Sequence, residues 1–145
     1  MKPSASQNFF VSVILLMFFA ALHVVTSCSS IAVYDQYAYQ ETVSLKVDAL
    51  NLMDKAKEDQ AIHKTAIDQL STRIQKMLEY EKGREKNTLT VALWNDLLDP
   101  NKHLFGGFIK KWKEGIQDES FVTEMKTQVS EAFDTIIALE SKKIK

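Results

Sequence analysis

The chain has 145 residues and a net charge of −1 from 18 basic and 19 acidic residues. This near balance gives no strong field to attract nucleic acid or anionic lipid headgroups. Only four glycines and two prolines interrupt a chain rich in helix-forming residues. The single cysteine excludes an internal disulfide, so the fold must depend on packing.

The N-terminal segment has the order of parts that is typical of a secretory signal. A polar head with one cation, Lys2, precedes an apolar run from Phe9 to Val25, which only Ser12 and His23 interrupt. The run falls slightly short of the roughly 20 apolar residues that span a bilayer. We therefore predict a cleaved hydrophobic signal helix, with an uncleaved membrane anchor as the alternative.

The tail of this run, Val25-Thr26-Ser27-Cys28, resembles the lipobox of bacterial lipoproteins. The resemblance covers about the first 30 residues. It implies cleavage between Ser27 and Cys28 and attachment of diacylglycerol and further acyl groups, such as palmitate, at Cys28. Lipid attachment would explain an unpaired thiol in an exported protein. An ordinary cleavage site followed by a small buried cysteine is the alternative.

These features divide the chain into three parts. Residues 1–27 form the signal peptide, 28–33 a short lipidated segment, and 34–145 the helical domain. Ser29, rather than an aspartate, follows the cysteine. That choice resembles lipoproteins that enteric-type bacteria send to the outer membrane, so we expect that location more than the inner membrane.

The first part of the domain, residues 34–82, contains no glycine or proline. Its apolar residues recur at helical spacing in two stripes, so we predict one long helix. The stripe thins over the polar stretch between them, and a turn joining two helices is the alternative. The two stripes are Val43, Val47, Leu50 and Met53, then Ile67, Leu70, Ile74 and Met77.

The sequence after residue 82 predicts two loops, two short helices and one regular final helix. A loop over 82–87 leads to a helix that ends before Pro100. A second loop over 103–107 contains Gly106 and Gly107, and a short lysine-rich helix follows it. The last helix carries the stripe Val122, Met125, Val129, Ala132, Ile136 and Leu139, and Asp118 or Ser120 is its expected N-cap. We predict an all-α fold, a small antiparallel bundle in which the last helix packs on the first and two short helices cap them.

The domain shows no pattern typical of catalysis or metal binding. Its histidines, His63 and His103, lie forty residues apart, and the sequence contains no G-x-S-x-G motif. Asp59 and His63 share a helix face, but a solvated face explains them. We therefore predict no enzyme activity, no cofactor and no metal.

Two stretches are candidates for membrane or partner contact. Tyr34, Tyr37 and Tyr39 lie close to the lipid site, with Tyr34 and Tyr37 on one helix side, and tyrosine favours the membrane interface. Their alternative role is packing at the base of the bundle. The second stretch places Phe108 and Trp112 around Lys110 and Lys111. Its alternative is a short helix that buries the rings and leaves the lysines in solvent.

The C-terminal Lys145 resembles the terminal lysine by which a small helical lipoprotein of enteric bacteria is joined to peptidoglycan. A lysine-rich helix end is the ordinary explanation. The expected protein is a lipid-anchored helical envelope protein that acts as scaffold, accessory subunit or inhibitor of an envelope protein. A ligand-binding or enzymatic protein with an interhelical site, or a non-lipidated secreted or signal-anchored helical protein, is the alternative.

Overall fold

The computed structural model describes residues 31–143. The predicted signal, Ser27, Cys28 and Lys145 lie outside the described residues. Within them every regular element is helical, which confirms the predicted all-α class. The helices are α1 (Gln36–Met53), α2 (Lys64–Lys82), α3 (Thr88–Leu98), α4 (Phe105–Lys113) and α5 (Glu119–Ser141).

Helices α1, α2, α3 and α5 form an antiparallel ring in which α1 packs on α2 and α5, and α3 lies between α2 and α5. The ion pairs Lys46–Asp134 and Lys126–Asp54, both at 2.6 Å, show that α1 and α5 run in opposite directions. The last helix therefore packs on the first, as predicted.

The predicted long first helix is wrong, because the chain folds back between α1 and α2. Two short 3₁₀ turns, Asp54–Lys57 and Gln60–His63, occupy the polar stretch. Between them Glu58 is extended, with φ −113° and ψ 164°, and the Asp59 side chain accepts the Ala61 N–H at 2.9 Å. Short polar side chains of this kind offer the backbone an alternative to helix. Folding back brings the second predicted stripe into the core, but the first predicted stripe is wrong. Val43 and Val47 are exposed, and α1 instead buries Leu45, Ala49 and Leu52 together with Met53.

The core runs the length of the bundle and differs from the predicted stripe in α5. Phe133 is buried there instead of Ala132, and Glu140 is buried instead of Leu139. The apolar line of α5 therefore ends in a carboxylate. Asp118 is its N-cap and accepts the Phe121 N–H at 2.9 Å.

The predicted loop at Gly106 and Gly107 is also wrong, because both residues lie in the first turn of α4. A Cβ added at Gly106 would lie 2.1 Å from the Leu98 carbonyl oxygen, and one at Gly107 would lie 1.9 Å from that of Lys102. The two glycines let the start of α4 pack directly on the backbone of the last residue of α3 and of the segment that follows it.

We expect Gly106→Ala to lower the free energy of unfolding by about 3 kcal/mol, because the new methyl meets backbone that cannot rotate away. Gly83→Ala is the matched control. Its Cβ would lie 3.4 Å from its nearest neighbour in ordinary helical backbone, and its effect should stay below about 1 kcal/mol. Urea denaturation measures both, and equal effects would contradict the close-packing explanation.

Candidate functional site at the base of the bundle

We use the term base for the end of the bundle at which α1 begins, α2 ends, α3 begins and α5 ends. The first described residues are bound there before α1 starts. The Asp35 N–H donates to Glu140 Oε1 at 2.7 Å, and the Val33 carbonyl oxygen accepts from the Arg84 guanidinium. Ala32 is buried. The chain therefore enters the domain through a segment that is fixed to the ends of two distant elements.

Four charged side chains at the base form what we call the ionic cluster, Glu81, Arg84, Glu140 and Lys143. Arg84 Nη1 donates to Glu81 Oε2 at 2.9 Å and to Glu140 Oε2 at 3.0 Å. Lys143 Nζ donates to Glu140 Oε2 at 2.6 Å. The side chains of Glu81, Glu140 and Lys143 are only 1%, 2% and 1% exposed, so these charges depend on each other rather than on water.

Polar side chains from the start of α3 complete the hydrogen bonding of this cluster. Lys143 Nζ donates to Asn87 Oδ1 at 2.9 Å and approaches Thr90 Oγ1 at 3.4 Å. Asn87 Nδ2 donates to the Glu81 carbonyl oxygen at 3.0 Å and also to the Glu81 carboxylate. Two carboxylates and two cations give the cluster no net charge, and it joins the ends of α2, α3 and α5.

The two carboxylates respond to this environment in opposite directions. Burial raises the pKa of Glu81 more than Arg84, Asn87 and Lys143 lower it. Burial also opposes ionisation of Glu140, but hydrogen bonds from Arg84 and Lys143 outweigh it and hold its pKa below the usual range. Glu140 is therefore the carboxylate whose charge the cluster stabilises.

Tyr80 and Asp35 extend the network to the edge of the base. Tyr80 Oη donates to Asp35 Oδ2, and this hydrogen bond, followed by burial, raises the pKa of Tyr80 to about 12. Burial alone would raise the pKa of Asp35, but the Tyr80 and Ala38 hydrogen bonds and the nearby Arg84 charge lower it. Asp35 is also the N-cap of α1, so the segment before α1 is held by both its backbone and its side chain.

The predicted tyrosines lie at the base but not in the expected arrangement. Helix α1 begins at Gln36, so Tyr34 and Tyr37 do not share a helix side. The Tyr34 ring lies 6.5 Å from that of Tyr39, and the Tyr37 ring lies edge-on to that of Tyr80 at 5.0 Å. Tyr37 is exposed, and Tyr34 and Tyr39 are partly buried.

The second predicted contact group divides between core and surface. Phe108 and Trp112 are buried, and Trp112 Nε1 donates to the Glu58 carbonyl oxygen at 2.9 Å. The two rings therefore belong to the core, as in the alternative of a short helix with solvated lysines. Lys110 and Lys111 are exposed, but α4 lies at the end opposite the base. The structure does not bring the two predicted groups together.

The ionic cluster is the feature that the sequence analysis missed. Glu81 and Arg84 fall at a helix end and in a loop, and Lys143 falls in a lysine-rich helix end, where cations complement the helix dipole. One signal was present, because Glu140 continues the spacing of Val129, Phe133 and Ile136 on the buried face. A charged residue at such a position indicates a buried partner.

Residues 31–143 contain neither a cluster of metal ligands nor a membrane-spanning helix. In this range no group of three or more His, Cys, Asp or Glu side chains is arranged to hold a metal ion. Over the same range, no helix combines the length and the apolar character needed to cross a membrane. Comparisons with protein-family models, with curated proteins and with solved structures found no match to the chain.

The folded state lowers the pKa of Glu140 and raises that of Glu81. The isosteric variants Glu140→Gln and Glu81→Gln should therefore change the acid dependence of the unfolding free energy in opposite directions. Stability from Glu140 is present above its unfolded pKa and is lost as the pH falls through its lowered folded pKa. Glu140→Gln should therefore flatten the acid loss of unfolding free energy. Stability linked to Glu81 is gained as the pH falls through its raised folded pKa, so Glu81→Gln should steepen the loss.

Denaturation curves measured at a series of pH values test this pair. The quantity to compare is the slope of unfolding free energy against pH, since each variant also lowers stability by removing one of the two carboxylates that balance the buried cations. Slopes that change in the same direction in both variants would contradict the opposite pKa shifts of Glu81 and Glu140.

Proposed function

We propose that this protein is a lipid-anchored, all-helical protein of the bacterial cell envelope that acts by contact with an envelope protein. The resemblance of Val25-Thr26-Ser27-Cys28 to a lipobox supports the anchor. The binding of residues 32–35 to the base of the bundle supports a position of the base close to the lipid. Only residues 29–31 separate Cys28 from this bound segment, a reach of about 10 to 14 Å when extended.

A lipid on Cys28 would therefore hold the base itself against the bilayer. Many lipoproteins carry a long polar tether after the cysteine, but this chain has none. The exposed surface of the base suits such a position. It combines large apolar side chains, including Val33 at 69% and Leu89 at 60% exposure, with exposed lysines. The apolar members are Ile31, Val33, Tyr37, Tyr80 and Leu89, and the lysines are Lys82, Lys86 and Lys142. Glu79 and Glu85 are exposed beside them, and Glu79 pairs with Lys82 at 2.7 Å, so Lys86 and Lys142 are the lysines best placed to meet phosphates.

This composition is typical of a membrane interface, where aromatic rings lie at headgroup level and lysines extend toward phosphates. The proposed orientation places α1 and α5 roughly along the membrane normal. An 18-residue α1 spans about 27 Å at 1.5 Å per residue. The sides of the bundle and its far end, which is the end opposite the base, would then contact partner proteins within about 30 Å of the bilayer. Such contacts suit a scaffold, an accessory subunit or an inhibitor.

The anchor is tested by Cys28→Ser. We expect the variant to lose acyl mass from its N-terminal peptide and to be unprocessed after residue 27, because the hydroxyl does not replace the thiol in lipid transfer. Ser29→Ala, which keeps the thiol, is the matched control and should remain acylated. Mass spectrometry of membrane fractions makes the measurement. An acylated control peptide together with an equally acylated Cys28→Ser peptide would exclude this attachment site.

The orientation is tested separately by hydroxyl-radical footprinting of the lipidated protein on vesicles. Tyr37 and Leu89 at the base should be protected relative to residues 28–145 without lipid, because headgroups would cover them. Ile62 and Ile116, which are 71% and 68% exposed at the far end, are the controls and should react equally in both samples. If Tyr37 and Leu89 react equally in the lipidated and the lipid-free protein, the base does not face the bilayer and the proposed orientation is wrong.

A further inference from the structure

The far end of the bundle contains a cavity of about 380 Å³ between the segment after α3, α4 and the start of α5. This volume lies in the range of small-molecule sites. Lys102, His103, Lys110 and Lys111 surround it, and Phe121 and Met125 form an apolar wall. We propose that this cavity binds a small organic anion, a carboxylate, sulfonate or phosphate group carried on a flat apolar body.

The charge at the cavity favours an anion. Three lysines line it against one carboxylate, Glu114, although the whole chain carries a net charge of −1. Two of the lysines already have carboxylate partners, since Lys111 pairs with Glu114 at 2.7 Å and Lys102 pairs with Asp96. Lys110 Nζ instead donates to the uncharged side-chain oxygen of Asn101 at 3.3 Å. A ligand anion would replace this weak acceptor with a charged one.

The carboxylate in the cavity does not compete strongly for Lys110. The hydrogen bond from Lys111 holds the pKa of Glu114 below its usual range, with a smaller contribution from Lys110. Glu114 is therefore ionised and paired with Lys111 at neutral pH. Lys110 remains the cation best placed to meet a ligand.

The apolar wall favours a flat body rather than a bare inorganic anion. The Phe121 ring stacks on buried Phe108 at 6.0 Å with an interplanar angle of 9°, which fixes its orientation. Phe121 is only partly buried, so a ligand ring could pack against it. Met125, an adaptable side chain, lies beside it.

The start of α4 adds to the attraction for negative charge. Gly107 lines the cavity, and the side chain of Leu104, the N-cap residue of α4, makes no cap hydrogen bond. The N-terminal end of a helix carries partial positive charge. Cation, helix end and aromatic wall thus converge on one concave site, and this inference does not depend on the lipid anchor.

The test uses naphthalene sulfonate as the probe and naphthalene sulfonamide, which has nearly the same shape but no charge, as its control. Titration is followed by amide chemical shifts of the protein. We expect saturable shifts centred on Gly107, Phe121 and Met125 and about fivefold weaker binding of the sulfonamide, since one exposed charge contact contributes up to about that factor. Shifts centred elsewhere, or equal affinity for both probes, would overturn the proposal.

Two lysine variants separate this site from general attraction to a cation. Lys110→Gln should weaken sulfonate binding about two- to fivefold while leaving sulfonamide binding unchanged. Lys76→Gln, on the exposed face of α2 outside the cavity, is the matched control and should change sulfonate binding by less than this. Both lysines are exposed, so neither variant should disturb folding. An equal loss in the two variants would contradict a specific site.

Discussion

The desolvated ionic cluster at the base holds together the ends of α2, α3 and α5 and the segment that enters α1. Taking four charges out of water is unfavourable, and their mutual attraction offsets this only when the geometry is good and the remaining hydrogen bonds are made. Here Arg84 contacts both carboxylates, and Lys143 contacts Glu140, Asn87 and Thr90. Loss of one partner from such a cluster typically costs about 3–5 kcal/mol, roughly three to five times the upper end for an exposed ion pair.

Because hydrogen bonds are directional, the cluster fixes positions more narrowly than apolar contacts would. It joins three segments that are distant in sequence, residues 32–35, 81–90 and 140–143. The segment entering the domain is consequently part of the folded unit. Under the proposed function, an anchor only three residues before Ile31 would then determine both the height and the tilt of the domain. The exposed lysines of α4 would lie at the far end, where they would meet solutes rather than lipid.

Much of the fold follows from the sequence, and the departures have physical causes. The stripe of α5 and the position of Pro100 predicted the last helix and the end of α3 well. The break at Glu58 was only the alternative to one long helix, because no glycine or proline marks it. The thinning of the apolar stripe over this polar stretch was the one signal for a turn. Gly106 and Gly107 suggested a loop by their backbone freedom, whereas their role is close packing against carbonyl oxygens. The candidate site was harder still, since the partners of Glu81 and Lys143 are set by tertiary contacts between helix ends.

The fixed position of the entering segment can be measured by hydrogen exchange at the Asp35 amide, because this N–H donates to buried Glu140 outside any helix. We expect exchange as slow as in the helices of the core, and a selective acceleration in Glu140→Gln. The Phe121 amide, bonded to Asp118 in another N-cap, should be unaffected by that substitution. If the Asp35 amide exchanges in the native protein as fast as in an unfolded peptide, the entering segment is not part of the folded unit.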